Sequence, residues 1–128
     1  MSLKPVRGLF LLAAIYDIVL GIVFGLFYVP VYQAYGVELP NHPGYVQLPA
    51  MFILSIGIGF LFVCRDPVRN RAVIVLGSLM KLAFSAIGIG YWYVGTIPKI
   101  FIPFAIADVV FLFLFLWALG VTRRAVPA

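Results

Sequence analysis

Four apolar stretches, at residues 9–29, 46–64, 72–94 and 100–121, each reach the roughly 20 residues a helix needs to cross a bilayer. That feature leaves the chain few folds. Backbone amides in hydrocarbon must find partners within their own segment, so a spanning stretch is a helix unless a barrel closes. Nothing here alternates with period two over the length of a barrel strand. Composition agrees: of 128 residues, 65% are hydrophobic and only 10% charged, where a soluble domain carries roughly 25% charged. The sequence therefore predicts one all-α membrane domain in contact with the lipid bilayer, built as a four-helix up-down bundle, because its connections are short.

The bases orient the spans. Lys4 and Arg7 precede the first; Arg65, Arg69 and Arg71 lie between the second and third; Arg123 and Arg124 follow the fourth. Seven of the nine Lys and Arg thus fall on one side, and by the positive-inside rule both termini are expected in the cytoplasm. The net charge of +5 does not point to nucleic acid, since the bases sit at segment ends rather than along a face. Tyr28, Tyr32, Tyr35, Tyr45 and Tyr91-Trp92-Tyr93 mark the outer interface, and Trp117 the inner one.

Lys4-Pro5-Val6-Arg7 before an apolar run is similar to the start of a signal peptide. The run is long, contains Asp17 and lacks a small-x-small cleavage site, so it reads as a retained span. In the link between spans two and three, Asp66 is expected as N-cap and Pro67 as the first helical residue. Pro103 either loosens span four near Asp108 or is an ordinary first-turn proline.

Three spans each hold one ionisable residue well inside: Asp17, Lys81 and Asp108. On insertion scales such a charge costs about 2.5–3.5 kcal/mol. At the rise of an α-helix, Asp17 lies about 12 Å, Lys81 about 13 Å and Asp108 about 20 Å above the cytoplasmic edge. All three thus share one band. On span three Ser78, Lys81, Ser85, Gly88 and Trp92 recur every three or four residues. On span four Phe101, Phe104, Asp108, Phe111 and Phe115 do the same, and on span one Asp17, Gly21, Phe24 and Tyr28 share a face. Span two offers Ser55, Gly57 and Gly59, which permit close backbone approach.

Height favours an Asp17–Lys81 pair and adjacency in the bundle favours Lys81–Asp108, so Lys81 is expected to bridge both acids. Two acids sharing one base leave a surplus negative charge, and protonation of one acid is the cheaper state in a low dielectric; Asp108, set among Phe rings, is the candidate. Three readings of this centre stand open: a network fixing helix register, a ligand- or proton-binding site lined also by Tyr16, Ser78, Ser85 and Trp92, and contact with a partner membrane subunit or a second copy. The related segments Ala14–Val19 and Ala105–Val110 share the pattern A-I-x-D-[IV]-V, the kind of inverted repetition found around transporter sites.

No catalytic constellation, cofactor fingerprint or metal set is legible. Cys64 is the one cysteine, which excludes an intrachain disulfide, and His42 with Glu38 cannot close a metal site alone. The Arg65/Arg69/Arg71 cluster is explained by topology, with an anionic lipid headgroup as the other reading.

The layout resembles small prokaryotic four-helix membrane proteins of the DoxX-like kind. The resemblance rests on Tyr16-Asp17 followed by Leu20-Gly21, the link Asp66-Pro67-Val68-Arg69-Asn70-Arg71, Lys81, and Asp108 ahead of a Phe-rich run. It implies an inner-membrane bundle, attached in some relatives to redox enzymes that handle quinones or sulfur compounds. Only the architecture carries over, because the chain has no redox cysteine pair or haem-ligand set. The leading functional expectation is a polar centre that binds a small amphipathic ligand or supports assembly of a membrane complex. The alternatives are a proton-coupled transporter with Asp108 as proton carrier, and a membrane-embedded acid/base enzyme acting on a lipid-like substrate.

Overall fold

The computed structural model describes residues 2–125, and these form helices and turns without a strand. Five α-helices follow in order: α1 Lys4–Leu26, the short α2 Tyr28–Ala34, α3 Gly44–Arg65, α4 Arg71–Val94 and α5 Ile102–Ala125, the last preceded by a 3-10 turn at Lys99–Phe101. α1, α3, α4 and α5 with its leading turn are long and apolar enough to cross a membrane. Their outward faces carry exposed Leu12, Phe52, Leu76 and Phe113, while the interior holds Asp17, Lys81 and Asp108. That inverted distribution is the one a bilayer imposes.

The prolines explain where the helices depart from the apolar windows. Pro5 opens α1 in its first turn, where a missing N–H costs nothing. Pro30 ends it: a proline ring clashes with the carbonyl four residues back, here that of Leu26, and the chain breaks at Phe27 before restarting as α2. The first span is therefore displaced toward the N-terminus from 9–29. Pro49 is tolerated inside α3, though it can give no hydrogen bond to the Tyr45 carbonyl. Pro103 falls in the first turn of α5. It is the ordinary helix-start proline and not a kink beside Asp108.

The tight connection also differs from expectation. Asp66 does not start a long helix; its backbone N–H caps α3 through Phe62 O, and its Oδ1 accepts from Arg69 N at 3.2 Å. The Asn70 side-chain amide then donates to the carbonyls of Phe62 and Asp66, both at 3.0 Å. The 67–70 segment is thereby held as a turn, and α4 begins only at Arg71. At the far end of α4, Gly95 takes a left-handed φ of 87° and its N–H, with that of Thr96, closes on Tyr91 O. That left-handed residue is why glycine ends the helix there.

Sequential long helices run antiparallel. α1 lies against α3 with Gly21 beside Ala50 and Leu54, and Gly57 beside Asp17 and Ile18. A Cβ on Gly21 would stand 2.8 Å from the Ala50 carbonyl oxygen and 2.9 Å from Leu54 N, so the backbones meet where no side chain intervenes. α4 lies against α5 through Gly88 and Ala105, and Arg71 joins their far ends by donating to Thr122 Oγ1 at 2.9 Å and Leu119 O at 3.0 Å. The bundle is thus two close pairs, α1/α3 and α4/α5. The pairs meet through Phe10, Phe60, Ile74, Phe115 and their neighbours in the half nearest the termini.

Candidate functional site

The site is built where the two pairs face each other at mid-height. Asp17 is fixed by its position on the α1 face that packs on α3: its Cβ is 3.2 Å from the point where a side chain on Gly57 would begin. Lys81 stands on α4 and Asp108 on α5, and all three are buried, with relative exposures of 1%, 1% and 6%. The Lys81 ammonium donates to Asp17 Oδ1 at 3.0 Å, to Asp17 Oδ2 at 3.3 Å and to Asp108 Oδ1 at 3.1 Å. Lys81 therefore bridges both carboxylates, the geometry anticipated from height and adjacency. Asp108 Oδ2 has no hydrogen-bond partner among the described residues.

Aromatic rings complete the cation's surroundings. Nζ lies 5.1 Å from the centroid of Tyr16 and 5.1 Å from that of Phe111, distances at which a ring face attracts a cation. Tyr16 itself packs against Phe104 and Phe111, and its hydroxyl is buried without a partner. Ser78 and Ser85 are buried on the Lys81 face of α4. Ser78 Oγ donates back to Ile74 O at 2.8 Å, whereas Ser85 Oγ has no partner.

Trp92 is not part of this group, being 45% exposed. The reason lies in helix geometry. A row stepping three and four residues drifts by roughly 20° per seven residues on a straight α-helix, so a stripe that starts at Ser78 has left the interior fourteen residues on. Its buried part ends at Ser85, and the half-buried Gly88 abuts Ala105.

Beyond the three charges, toward the 35–43 connection and the 95–98 turn, the helix pairs separate. They enclose a partly open cavity of about 340 Å³. Asp17, Lys81 and Asp108 lie at one end of its wall, with Tyr32, Tyr45 and Ile97 toward the other. Leu20, Phe24, Pro49, Phe84, Phe101 and Phe104 are among the apolar residues that line it between them. Burial beside Tyr28 pushes the Tyr32 phenol above its ordinary range, so it stays neutral and serves as a hydrogen-bonding apolar wall.

The sequence pointed to the charges but not to this space. Pro49 carried the strongest missed signal. An interior proline in a span is tolerated where neighbouring packing allows it, and here it forms part of the cavity wall. His42, considered above with Glu38, is engaged locally, its Nδ1 accepting from Gly44 N at 2.9 Å. Arg71, from the basic cluster, is spent on α5 as described.

No protein-family model matches the chain, no curated protein matches it, and no solved structure matches it.

Proposed function

We propose that this integral membrane protein binds a small amphipathic ligand in the cavity, with the ligand's polar end against the Asp17–Lys81–Asp108 centre and its apolar body among the rings. The observation that carries the reading is the coincidence of the two features: Asp17, Lys81 and Asp108, the charged side chains buried inside the spans, border the cavity of about 340 Å³. Ligand sites are concave, mostly apolar and oriented by a few placed polar groups, with volumes from roughly 300 Å³ upward. A network that served only to fix register has no need of a void beside it, because unfilled space forfeits packing.

In this reading both termini face the cytoplasm and the host is a prokaryotic inner membrane, following the distribution of bases and the DoxX-like layout. The bundle acts as a receptor or carrier for its ligand, the ammonium of Lys81 holding both carboxylates in place at the polar end of the cavity.

The test fills the cavity. In lipid nanodiscs, the neutral amphipathic fluorophore N-phenyl-1-naphthylamine should show saturable binding above that of empty discs. Ile53→Trp, which adds bulk to the cavity wall, should weaken it at least tenfold. Saturable binding of equal strength in Ile53→Trp would remove the cavity as the binding site.

A further inference from the structure

We infer that the cavity selects a monovalent hydrophobic organic cation, a substituted ammonium whose charged head lies against Asp108. The inference rests on the proposed ligand site and names the class of molecule it takes.

Hydrogen-bond capacity disfavours the opposite choice. An ammonium has three N–H donors; the two Asp17 oxygens belong to one carboxylate and share one of them, and Asp108 Oδ1 takes a second. At most one donor is left for a carboxylate or phosphate head, which would also add a third negative group beside a single ammonium. On the acid side the situation is reversed. Asp17 is engaged through both oxygens, Asp108 through one, and its Oδ2 remains free in a residue that is 6% exposed and borders the cavity. The unpartnered hydroxyls of Tyr16 and Ser85 do not border the cavity, so the group of the polar centre left open toward it is an acceptor.

Charge leads to the same conclusion. One ammonium against two carboxylates leaves one negative charge, and an uncompensated buried charge is costly. Either a proton or a cation must neutralise it. The walls favour a cation with apolar substituents: Phe24, Tyr32, Tyr45, Phe84, Phe101 and Phe104 surround the space, and rings offer their negative faces to quaternary ammonium groups. The groups that face Asp108 are Lys81 from α4 and Asp17 and Tyr16 from α1. The titratable groups that α2 and α3 bring to the cavity are the phenols of Tyr32 and Tyr45. Proton and organic cation therefore compete for one carboxylate.

The experiment uses displacement of N-phenyl-1-naphthylamine from the full chain in nanodiscs by two compounds of one shape: N,N-dimethylbenzylammonium, which keeps one N–H for Asp108 Oδ2, and its uncharged carbon isostere, isobutylbenzene. In the unaltered protein the cation should displace the probe. Asp108→Asn should weaken displacement by the cation at least tenfold and leave displacement by the isostere unchanged, the two-compound comparison cancelling lipid partition. Should Asp108→Asn fail to bind the probe, the unaltered protein still decides: acidification should weaken the cation's displacement and not the isostere's. If the probe binds but cation and isostere respond alike to both Asp108→Asn and acid, the cation assignment falls and the cavity stands as a site for neutral ligands. If the unaltered protein binds no probe, the ligand site falls and this inference falls with it.

Discussion

The column of phenylalanines on α5 and the 3-10 turn before it passes through two environments, and Asp108 divides them. On the side of the termini Phe111 and Phe115 are buried. Phe115 stacks on Phe10 at 4.6 Å between centroids and meets Phe60 edge-on at 5.1 Å. On the other side Phe101 and Phe104 border a cavity. Residue type is the same in both halves, and the spacing, three residues in one and four in the other, is helical in each. The difference is made by the opposing helices. Gly77 on α4 leaves room for Phe60 and Phe115 to close, since a Cβ there would lie 2.5 Å from one ring and 3.3 Å from the other. Above Asp108, Pro49 interrupts the α3 ladder and α1 stops at Phe27, so nothing draws the pairs together. Packing in a membrane is a matter of local surface fit, because lipid supplies no hydrophobic pressure to collapse a loose region.

The largest expected effect comes from breaking the boundary between the halves. Lys81→Met leaves two carboxylates buried without their cation, and removal of one partner from a buried pair costs about 3–5 kcal/mol. Reversible unfolding in mixed micelles measures it. The triple variant Asp17→Asn, Lys81→Met, Asp108→Asn should recover most of that loss, as uncharged groups need no counter-charge. If Lys81→Met unfolds with the stability of the unaltered protein, the bridge does not hold the pairs together.

The next test sets the two halves against each other on the same helix. Phe115→Ala should cost about 3 kcal/mol through the cavity it opens in a closed core. Phe104→Ala, whose ring already borders a void, should cost about 1 kcal/mol. The same pair of variants should separate in the opposite order for ligand binding, where only Phe104→Ala matters. Equal losses of stability would mean that both ends of the column are packed alike.

A smaller effect is expected where the close pairs are made. Gly21→Ala drives a methyl into the α3 backbone and should cost about 1–3 kcal/mol as overpacking. Because the same contact seats Asp17 against Gly57, this variant should also weaken probe binding. Gly90→Ala, with open space at its Cβ position, is the control.

How much of this was legible follows from what each signal encodes. The four long apolar helices and the all-α bundle could be read from the lengths of the apolar runs, though the short α2 could not; the meeting of Asp17, Lys81 and Asp108 could be read because burial of charge in hydrocarbon is so costly that it forces partners together. Gly57 and Gly59 could be read as close-approach positions for a related reason: each stands against a neighbouring helix, Gly59 with Val73 at 3.2 Å from where its Cβ would be. The cavity could not be read. A Phe that fills a core and a Phe that lines a space occupy identical positions in a periodic pattern, and only the opposite wall distinguishes them. The start of α4 is not legible because Asp66 and Asn70 both suit a cap, and the choice between them depends on the Asn70 amide reaching the carbonyls of Phe62 in α3 and of Asp66 just beyond it.

The smallest expected effect concerns Trp92, which the periodic stripe on α4 assigns to the site and the helix rotates out of it. If the drift of a seven-residue row is what excludes it, Trp92→Ala should change stability by no more than about 0.5 kcal/mol, as for a surface position away from structural features. Probe binding should be unaffected. Ser85→Ala, one face-repeat closer to Lys81, removes a buried hydroxyl that has no partner and should be neutral or slightly stabilising, because an unsatisfied polar group is itself a cost. The two substitutions thus bracket where the stripe leaves the interior. A loss of binding in Trp92→Ala would put the boundary of the site one turn farther along α4, and the cavity would then have to extend past Gly88 toward Gly95.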